Sequence, residues 1–238
     1  PTWFIPHGGG PCFFMEWNPA DAWDRMANYL RHAADALPQR PRAIVLVSAH
    51  WLTSDFAVTS GVAPSLIYDY YGFPPHTYEI EFPAPGAPQL AQEITQRLQA
   101  AGWAASADAE RGFDHGMFIP LKLMFPQAEV PVVQLSLRQS MDPKAHLEMG
   151  RALAPLRDDG VLIIGSGMSF HNMRAYGDPR FGPVSDVFDD WLTQAVQSAP
   201  EDRWQALSQW EQAPGARLCH PPRAEEHLLP LMVVAEIG

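Results

Sequence analysis

Arg42-Ala-Ile-Val-Leu-Val-Ser-Ala-His50 is the stretch from which the rest of the chain can be read. Residues 42 to 49 form a nearly unbroken apolar run of strand length with no polar alternation, which predicts an interior strand covered on both faces. It ends on a histidine. Working outward, Thr2-Trp-Phe-Ile-Pro6 reads as a short apolar strand that delivers His7 into Gly8-Gly9-Gly10, a turn where the missing Cβ atoms let backbone approach a ligand closely. Further strands are expected at 130 to 137 and 160 to 165. Helices are expected from Asn18 as cap and Pro19 as first residue, with Ala22, Trp23, Met26, Leu30, Ala33 and Leu37 on the buried face. They are also expected at 87 to 101 (closed by Gly102), 143 to 157 and 184 to 198. Strands alternating with helices imply an α/β fold: one layered domain over residues 1 to 238, its central sheet mostly parallel or mixed and flanked by helices.

Composition narrows the function. A chain of 238 residues with 47% hydrophobic content can bury a sizeable core. The formal charge of -11, with 16 Lys and Arg that form no run, argues against a nucleic-acid partner. No apolar stretch approaches the ~20 residues of a membrane span, so no membrane partner is expected. Cys12 and Cys219 are far apart and form no Cys-x-x-Cys pair, which favours reduced thiols and a cytoplasmic protein. The 24 prolines and 17 glycines are spread along the chain, so loops should be ordered rather than pooled into a linker. Trp191, Trp204 and Trp210 on the late helices leave room for either core packing or a homo-oligomer contact.

The histidines carry the chemistry. A single histidine at a strand end is most often a hydrogen-bonded structural residue. Here His7 follows the first strand, His50 ends the second, and the strand at 160 to 165 runs through Gly165-Ser-Gly167 toward His171, which gathers three imidazoles at the sheet's carboxyl edge. Three neutral imidazoles with open positions suit Fe(II) or Zn(II). A fourth strand-distant histidine stands in Glu225-Glu-His227. His115, in Asp114-His-Gly116 just before the apolar run 117 to 125, falls near a helix N-terminus, where an imidazole is kept neutral and able to accept a proton; the bland alternative is a helix cap. His32 and His146 lie within helices and are assigned to surface or packing, and His76 sits in the loop described next. Residues 60 to 88 hold Tyr68, Tyr70, Tyr71, Phe73, Tyr78 and Phe82 among prolines, which predicts an ordered loop that either covers a flat ligand or fills a secondary core.

Together, Ile5-Pro-His7-Gly-Gly-Gly-Pro11, Ser48-Ala-His50-Trp51, Tyr68-Asp-Tyr-Tyr-Gly-Phe-Pro-Pro75, Gly112-Phe-Asp-His-Gly116 and Gly165-Ser-Gly-Met-Ser-Phe-His-Asn172 resemble the class III extradiol ring-cleavage dioxygenases. Within that family the chain looks like the branch of bacterial and plant DOPA 4,5-dioxygenase-like proteins, from Pro1 to about Leu231. The resemblance implies one mononuclear non-haem Fe(II), a small catecholic aromatic substrate, and O2 as co-substrate, with both oxygen atoms entering the ring. It also implies His7 and His50 as metal ligands, His171 as a third, His227 as a further ligand or close neighbour, and His115 as the acid–base residue. The chain departs from the better-known members, which use two histidines and one carboxylate; by motif only Asp186 and Glu226 are near candidates for the acid. A site of neutral imidazoles should hold iron less selectively and can be found carrying zinc.

Two other readings stay open from the residues alone. One is a zinc-dependent hydrolase that uses a metal-activated water. The other is a non-catalytic metal-binding module on the same scaffold. Arg174, three residues after His171, is a candidate partner for a substrate carboxylate or an exposed salt bridge.

Overall fold

The apolar run at 42 to 49 does become an interior strand. In the computed structural model, which describes residues 1 to 237, β2 (Ala43–Thr53) lies in a six-stranded sheet. The other strands are β1 (Thr2–Pro6), β3 (Phe56–Thr59), β4 (Ala105–Asp108), β5 (Val132–Arg138) and β6 (Val161–Gly167), in the order β1-β6-β2-β5-β3-β4. The first four in that order are parallel, β3 is antiparallel to β5, and β4 is parallel to β3, so the sheet is mixed.

Both faces of β2 are buried, as the lack of alternation requires. Val45 and Val47 pack on one side with Val133, Leu135 and Ile163 against α2 (Pro88–Ala100), α4 (Pro143–Leu153) and α9 (Leu229–Ala235). Ile44 and Leu46 point the other way, into a second core with Ile5, Leu162 and Ile164 under α1 (Asp24–Ala33) and α3 (His115–Met124). Val45, Leu46 and Val47 have no exposed surface, and each such burial contributes about 1.5–3 kcal/mol. The aromatic loop joins this second core: Tyr68 stacks edge-on with Phe118, and the Tyr70 hydroxyl donates to Thr77 O at 2.5 Å.

Three expectations need correction. The helix predicted from Asn18 begins at Asp24, because residues 19 to 23 run through short turns, with Ala22 N–H to Pro19 O at 3.2 Å and Asp24 N–H to Asp21 O at 3.1 Å. Packing of the Trp23 ring against Phe13 and Trp17 overrides the capping signal there. That helix also ends at Ala33, so Leu37 lies beyond it. The helix expected at 143 to 157 is two, α4 and α5 (Pro155–Asp158), since Pro155 has no N–H with which to continue the ladder. The four-residue strands β3 and β4 were not legible at all; β4 is largely unburied and has no apolar run. The helix expected at 184 to 198 is α6 (Gly182–Gln197), followed by α7 (Pro200–Ser208) and the short α8 (Ala216–Cys219).

Trp210 is buried and Trp191 stacks on Phe188 at 6.0 Å, while Arg151 lies 3.7 Å over Trp204, so all three late tryptophans pack within the chain. Cys12 and Cys219 are free and buried, which pushes their thiols up to about 12 and about 11. Among the described residues no helix is long and apolar enough to cross a membrane.

Candidate metal centre and active site

The carboxyl ends of β1, β6 and β2 meet at one edge of the sheet, and His7, Gly167 and His50 sit there. His50 lies where the register of β2 against β5 shifts between Val47 and Leu52, a bulge-like irregularity of the kind that re-aims a side chain. The segment leading into α9 brings His227 to the same edge, and Met168 N–H donates to His227 O at 2.9 Å. Gly167 makes this approach feasible. A Cβ there would lie 2.1 Å from His227 O, and one at Gly165 would lie 2.4 Å from Pro230 O.

Three rings converge. The centroids of His7, His50 and His227 are 4.8, 4.9 and 5.1 Å apart, and their ligating atoms fall within 4.8 Å of one another. His7 Nε2 lies 3.0 Å from His50 Nε2. Two metal–nitrogen bonds of ~2.1 Å separated by right to tetrahedral angles place the nitrogens roughly 3.0–3.4 Å apart, so the spacing fits a shared cation.

The tautomers fit as well. Ser166 Oγ donates to Gly116 O at 2.5 Å, so its lone pair accepts from His7 Nδ1–H at 3.0 Å, which leaves His7 Nε2 bare and facing the cluster. His227 Nδ1–H donates to Glu226 Oε1 at 3.1 Å and likewise leaves Nε2 bare. Such outer partners orient imidazole ligands and raise their basicity. Burial, followed by the neighbouring imidazoles, holds His7 and His227 well below the ordinary histidine value, and burial with His115 beside it pushes His50 down to about 3. These rings are neutral at physiological pH, the state in which imidazole binds a metal.

His115 is the first residue of α3, as its place just before the apolar run 117 to 125 predicted. Its ring is 3.9 Å from that of His50, and Asp69 Oδ1 accepts from both His115 Nδ1–H at 2.8 Å and His115 N–H at 2.9 Å. Asp69 was missed in the sequence because it lies 46 positions away in the aromatic loop; its place in Tyr68-Asp-Tyr70 was the available signal. Asp114 was also missed as a site residue. It is fully buried, which raises its carboxyl's pKa, and it accepts from Ser48 Oγ at 2.7 Å and from Gln134 Nε2. Ser48 Oγ in turn accepts His50 N–H at 3.1 Å, so this buried network fixes the backbone on which His50 stands.

The remaining expected residues divide. His171 stacks on His227 with centroids 3.4 Å apart, and its Nδ1, 3.6 Å from Glu226 Oε1, is buried without a hydrogen-bond partner. It groups with Glu226 and His227 rather than with His7 and His50. Glu226 therefore stands behind two imidazoles, while Asp186 is exposed on α6 and away from the site. Arg174 is exposed on the turn after His171. His32 is exposed and His146 is fully buried, donating Nδ1–H to Asp142 O at 2.7 Å and accepting Arg138 N–H at 3.1 Å, so His146 packs rather than facing solvent. His76 is exposed and pairs with Phe14 O.

A cavity of about 350 Å³ opens onto the imidazoles of His7, His50, His115, His171 and His227 and onto the glycine turn, where Gly8 and Gly10 have φ of 75° and 54°. Its other walls come from Trp17, Trp23, Phe73, Met168, Met173 and Tyr176. Of the aromatic loop, Phe73 reaches the cavity, Tyr70 touches His115 edge-on at 5.6 Å, and Tyr71 is 92% exposed. The loop thus both fills a secondary core and supplies one wall.

Comparison with known proteins places the chain in a family. Residues 1–236 match the model of the catalytic LigB subunit of aromatic ring-opening dioxygenase. The chain is 38% identical over 252 residues to the dioxygenase tasH of Hapsidospora irregularis, covering 99% of this chain and 77% of that protein. It is 39% identical over 209 residues to a 4,5-DOPA dioxygenase extradiol of Portulaca grandiflora, covering 86% and 75%, and 36% identical over 239 residues to that of Escherichia coli K12, covering 98% and 83%. The crystal structure of an uncharacterized Escherichia coli K12 protein superposes with a TM-score of 0.74 at 34% identity, covering 89% of this chain and 81% of that one. The chain therefore belongs to the family of the catalytic LigB subunit of aromatic ring-opening dioxygenases and is an extradiol ring-cleaving oxidoreductase.

Proposed function

We propose that this dioxygenase cleaves a catechol beside its two hydroxyl groups with O2, working as one catalytic domain around one mononuclear metal, Fe(II) in the active enzyme. His7, His50 and His227 hold the metal, and His171 stands at the edge of that set. The observation that carries the reading is the convergence of three neutral imidazoles whose ligating atoms lie within 4.8 Å of one another, with His7 Nε2 3.0 Å from His50 Nε2. When bound, the metal supplies a Lewis-acidic centre with open positions where ring and O2 can meet.

The chain's own groups do the rest. His115 Nε2 takes a catechol proton, since Nδ1–H is committed to Asp69 and fixes the tautomer. A base so placed contributes roughly 10²–10⁴-fold, and the same nitrogen returns the proton as the ring opens. His171, stacked on His227 with its Nδ1 unpartnered, offers a second place for a proton. The aromatic and thioether walls exclude water and orient the flat ring. The two free thiols suit a reducing compartment, and we place the enzyme in the cytoplasm.

The same donor set of neutral imidazoles would hold zinc in a hydrolase, a reading that membership in the ring-opening dioxygenase family does not favour. Oxygen uptake by protein reconstituted anaerobically with Fe(II) separates them. Uptake with a visibly absorbing ring-opened product, lost in His115→Ala, supports the dioxygenase; no uptake with any catechol despite one bound metal per chain sinks it.

A further inference from the structure

The short helix α8 and the residue after it join the two loops that carry His171 and His227. Gly215, at φ 76°, turns the chain into α8, and the N–H groups of Cys219 and His220 bond back to Gly215 O at 3.0 Å and Ala216 O at 2.8 Å. Ala216, Cys219 and His220 are buried, and the His220 ring meets Phe188 and Trp210 edge-on, with centroids 5.8 and 5.9 Å away. From this anchored base three hydrogen bonds run to residues 169 to 172. His220 Nε2–H donates to Ser169 O at 2.9 Å, His171 N–H to Cys219 O at 3.0 Å, and Asn172 Nδ2–H to Leu218 O at 2.8 Å. Arg217 serves the other loop. It lies 4.8 Å over Trp210, pairs with Glu211 at 2.7 Å, and donates to the buried carboxylate of Glu225 at 2.5 Å, two residues before His227. Glu225 O accepts Leu228 N–H at 2.9 Å, so His227 stands inside a turn whose first residue Arg217 holds.

Packing alone does not account for an imidazole at position 220. Its Nδ1 is buried without a hydrogen-bond partner, a loss that a phenyl ring in the same place would avoid. What the imidazole adds is the one N–H that reaches Ser169 O. Arg217 is likewise the cation that offsets a buried carboxylate, and without it the Glu225 turn would have to rearrange toward water.

We propose that His220 and Arg217 are positioning residues of the site: His220 fixes the loop on which His171 stands, and Arg217 fixes the turn that carries His227. This rests on reading His171 as a proton-handling group and His227 as a metal ligand. The two halves differ in what they move, since His220 should govern turnover and Arg217 metal retention.

Two of the measurements need no turnover: zinc affinity, by competition against a chromophoric chelator, and hydrogen exchange of the His171 amide in zinc-loaded protein. In His220→Phe the His171 amide should exchange about tenfold faster while the amides of β2 keep their protection. Zinc affinity should stay within about twofold of the parent, well inside the change expected when a ligand loses its support. The kcat of Fe(II)-loaded protein for oxygen uptake with catechol should fall about tenfold at little-changed KM, since small misplacements of a reacting group are costly. His220→Gln, whose amide N–H can reach Ser169 O, should recover most of both losses. Arg217→Met should lower zinc affinity about tenfold or more, and Arg217→Lys should restore part of it. Parental exchange at His171 in His220→Phe, or parental zinc affinity in Arg217→Met, overturns the proposal. So does loss of protection throughout β2 with no recovery in His220→Gln, which leaves only a structural role. If His220→Phe does not fold, Asn172→Ala at the outer end of the same loop takes its place in the exchange and kcat measurements. No oxygen uptake by the parent with any catechol rejects the catechol reading instead, and the exchange and zinc affinities then decide the positioning roles by themselves.

Discussion

Replacing Gly167 with alanine should unseat His227 without touching any side chain of the metal centre. The new Cβ would lie 2.1 Å from His227 O, where ordinary contact begins at 3.4 Å, so the carbonyl must retreat by about 1.3 Å. No flexible side chain can absorb this, because the obstacle is backbone, and Phe4 Cε2 at 3.0 Å blocks the neighbouring direction. The retreat breaks the bond from Met168 N–H to His227 O. Overpacking of this kind costs about 1–3 kcal/mol. Its effect on the centre is larger, since metal ligands tolerate shifts of only ~0.2 Å and a site works only when held within ~0.5 Å. The expected outcome is a loss of metal affinity of roughly 100-fold or more, the upper range for losing a ligand's support. Competition against a chromophoric chelator measures the affinity, and urea denaturation of the metal-free protein measures the stability. Gly182→Ala is the control, because a Cβ there meets nothing within 4 Å and the backbone is not left-handed. If Gly167→Ala binds metal as tightly as the parent and unfolds at the same urea concentration, His227 is not seated as described.

Asp69→Asn should lower kcat by about 10–100-fold with KM little changed and metal content intact, because it loosens the tautomer of His115 and leaves the cavity walls alone; steady-state kinetics beside metal analysis checks this. His146 should make the fold acid-labile. Burial lowers its pKa from 6.5 to about 4, so the unfolded chain binds the extra proton, and the stability present above pH 6.5 declines as pH falls from there to about 4, by about 3 kcal/mol at most. Urea midpoints measured across that range should show a shallower decline in His146→Gln. Leu46→Ala, at a site with no exposed surface, should cost about 2–5 kcal/mol in the same denaturation assay; a loss below 1 kcal/mol would contradict the two-faced burial of β2.

Residues 42 to 49 announced an interior strand because a strand buried on both faces has no alternation to hide it, and the parallel direction of β1, β6, β2 and β5, though not their order, followed from the helices between strands. The histidine cluster was legible for the same reason: strand ends of parallel neighbours share an edge, so His7 and His50 could be placed together without coordinates. What failed to show was whatever depended on contacts across the chain. Asp69 comes to His115 from a loop with no periodic pattern, and the start of α1 was moved by a tryptophan packing against a turn rather than by its own capping residues. His227 and His171 exchange prominence because Gly165 and Gly167 admit the backbone before α9 to the sheet edge. The two glycines were visible in the sequence, but the segment that needed them was not.

The most direct test of the central claim is the fate of 18O2 in the product formed by Fe(II)-loaded protein from its best catechol. The account predicts that both heavy atoms appear in one ring-opened molecule for each O2 consumed, and that the labelled product is absent in His50→Ala and His227→Ala. A product trapped before its aldehyde oxygen exchanges with water and carrying one heavy atom or none, or full activity in either variant, would contradict it.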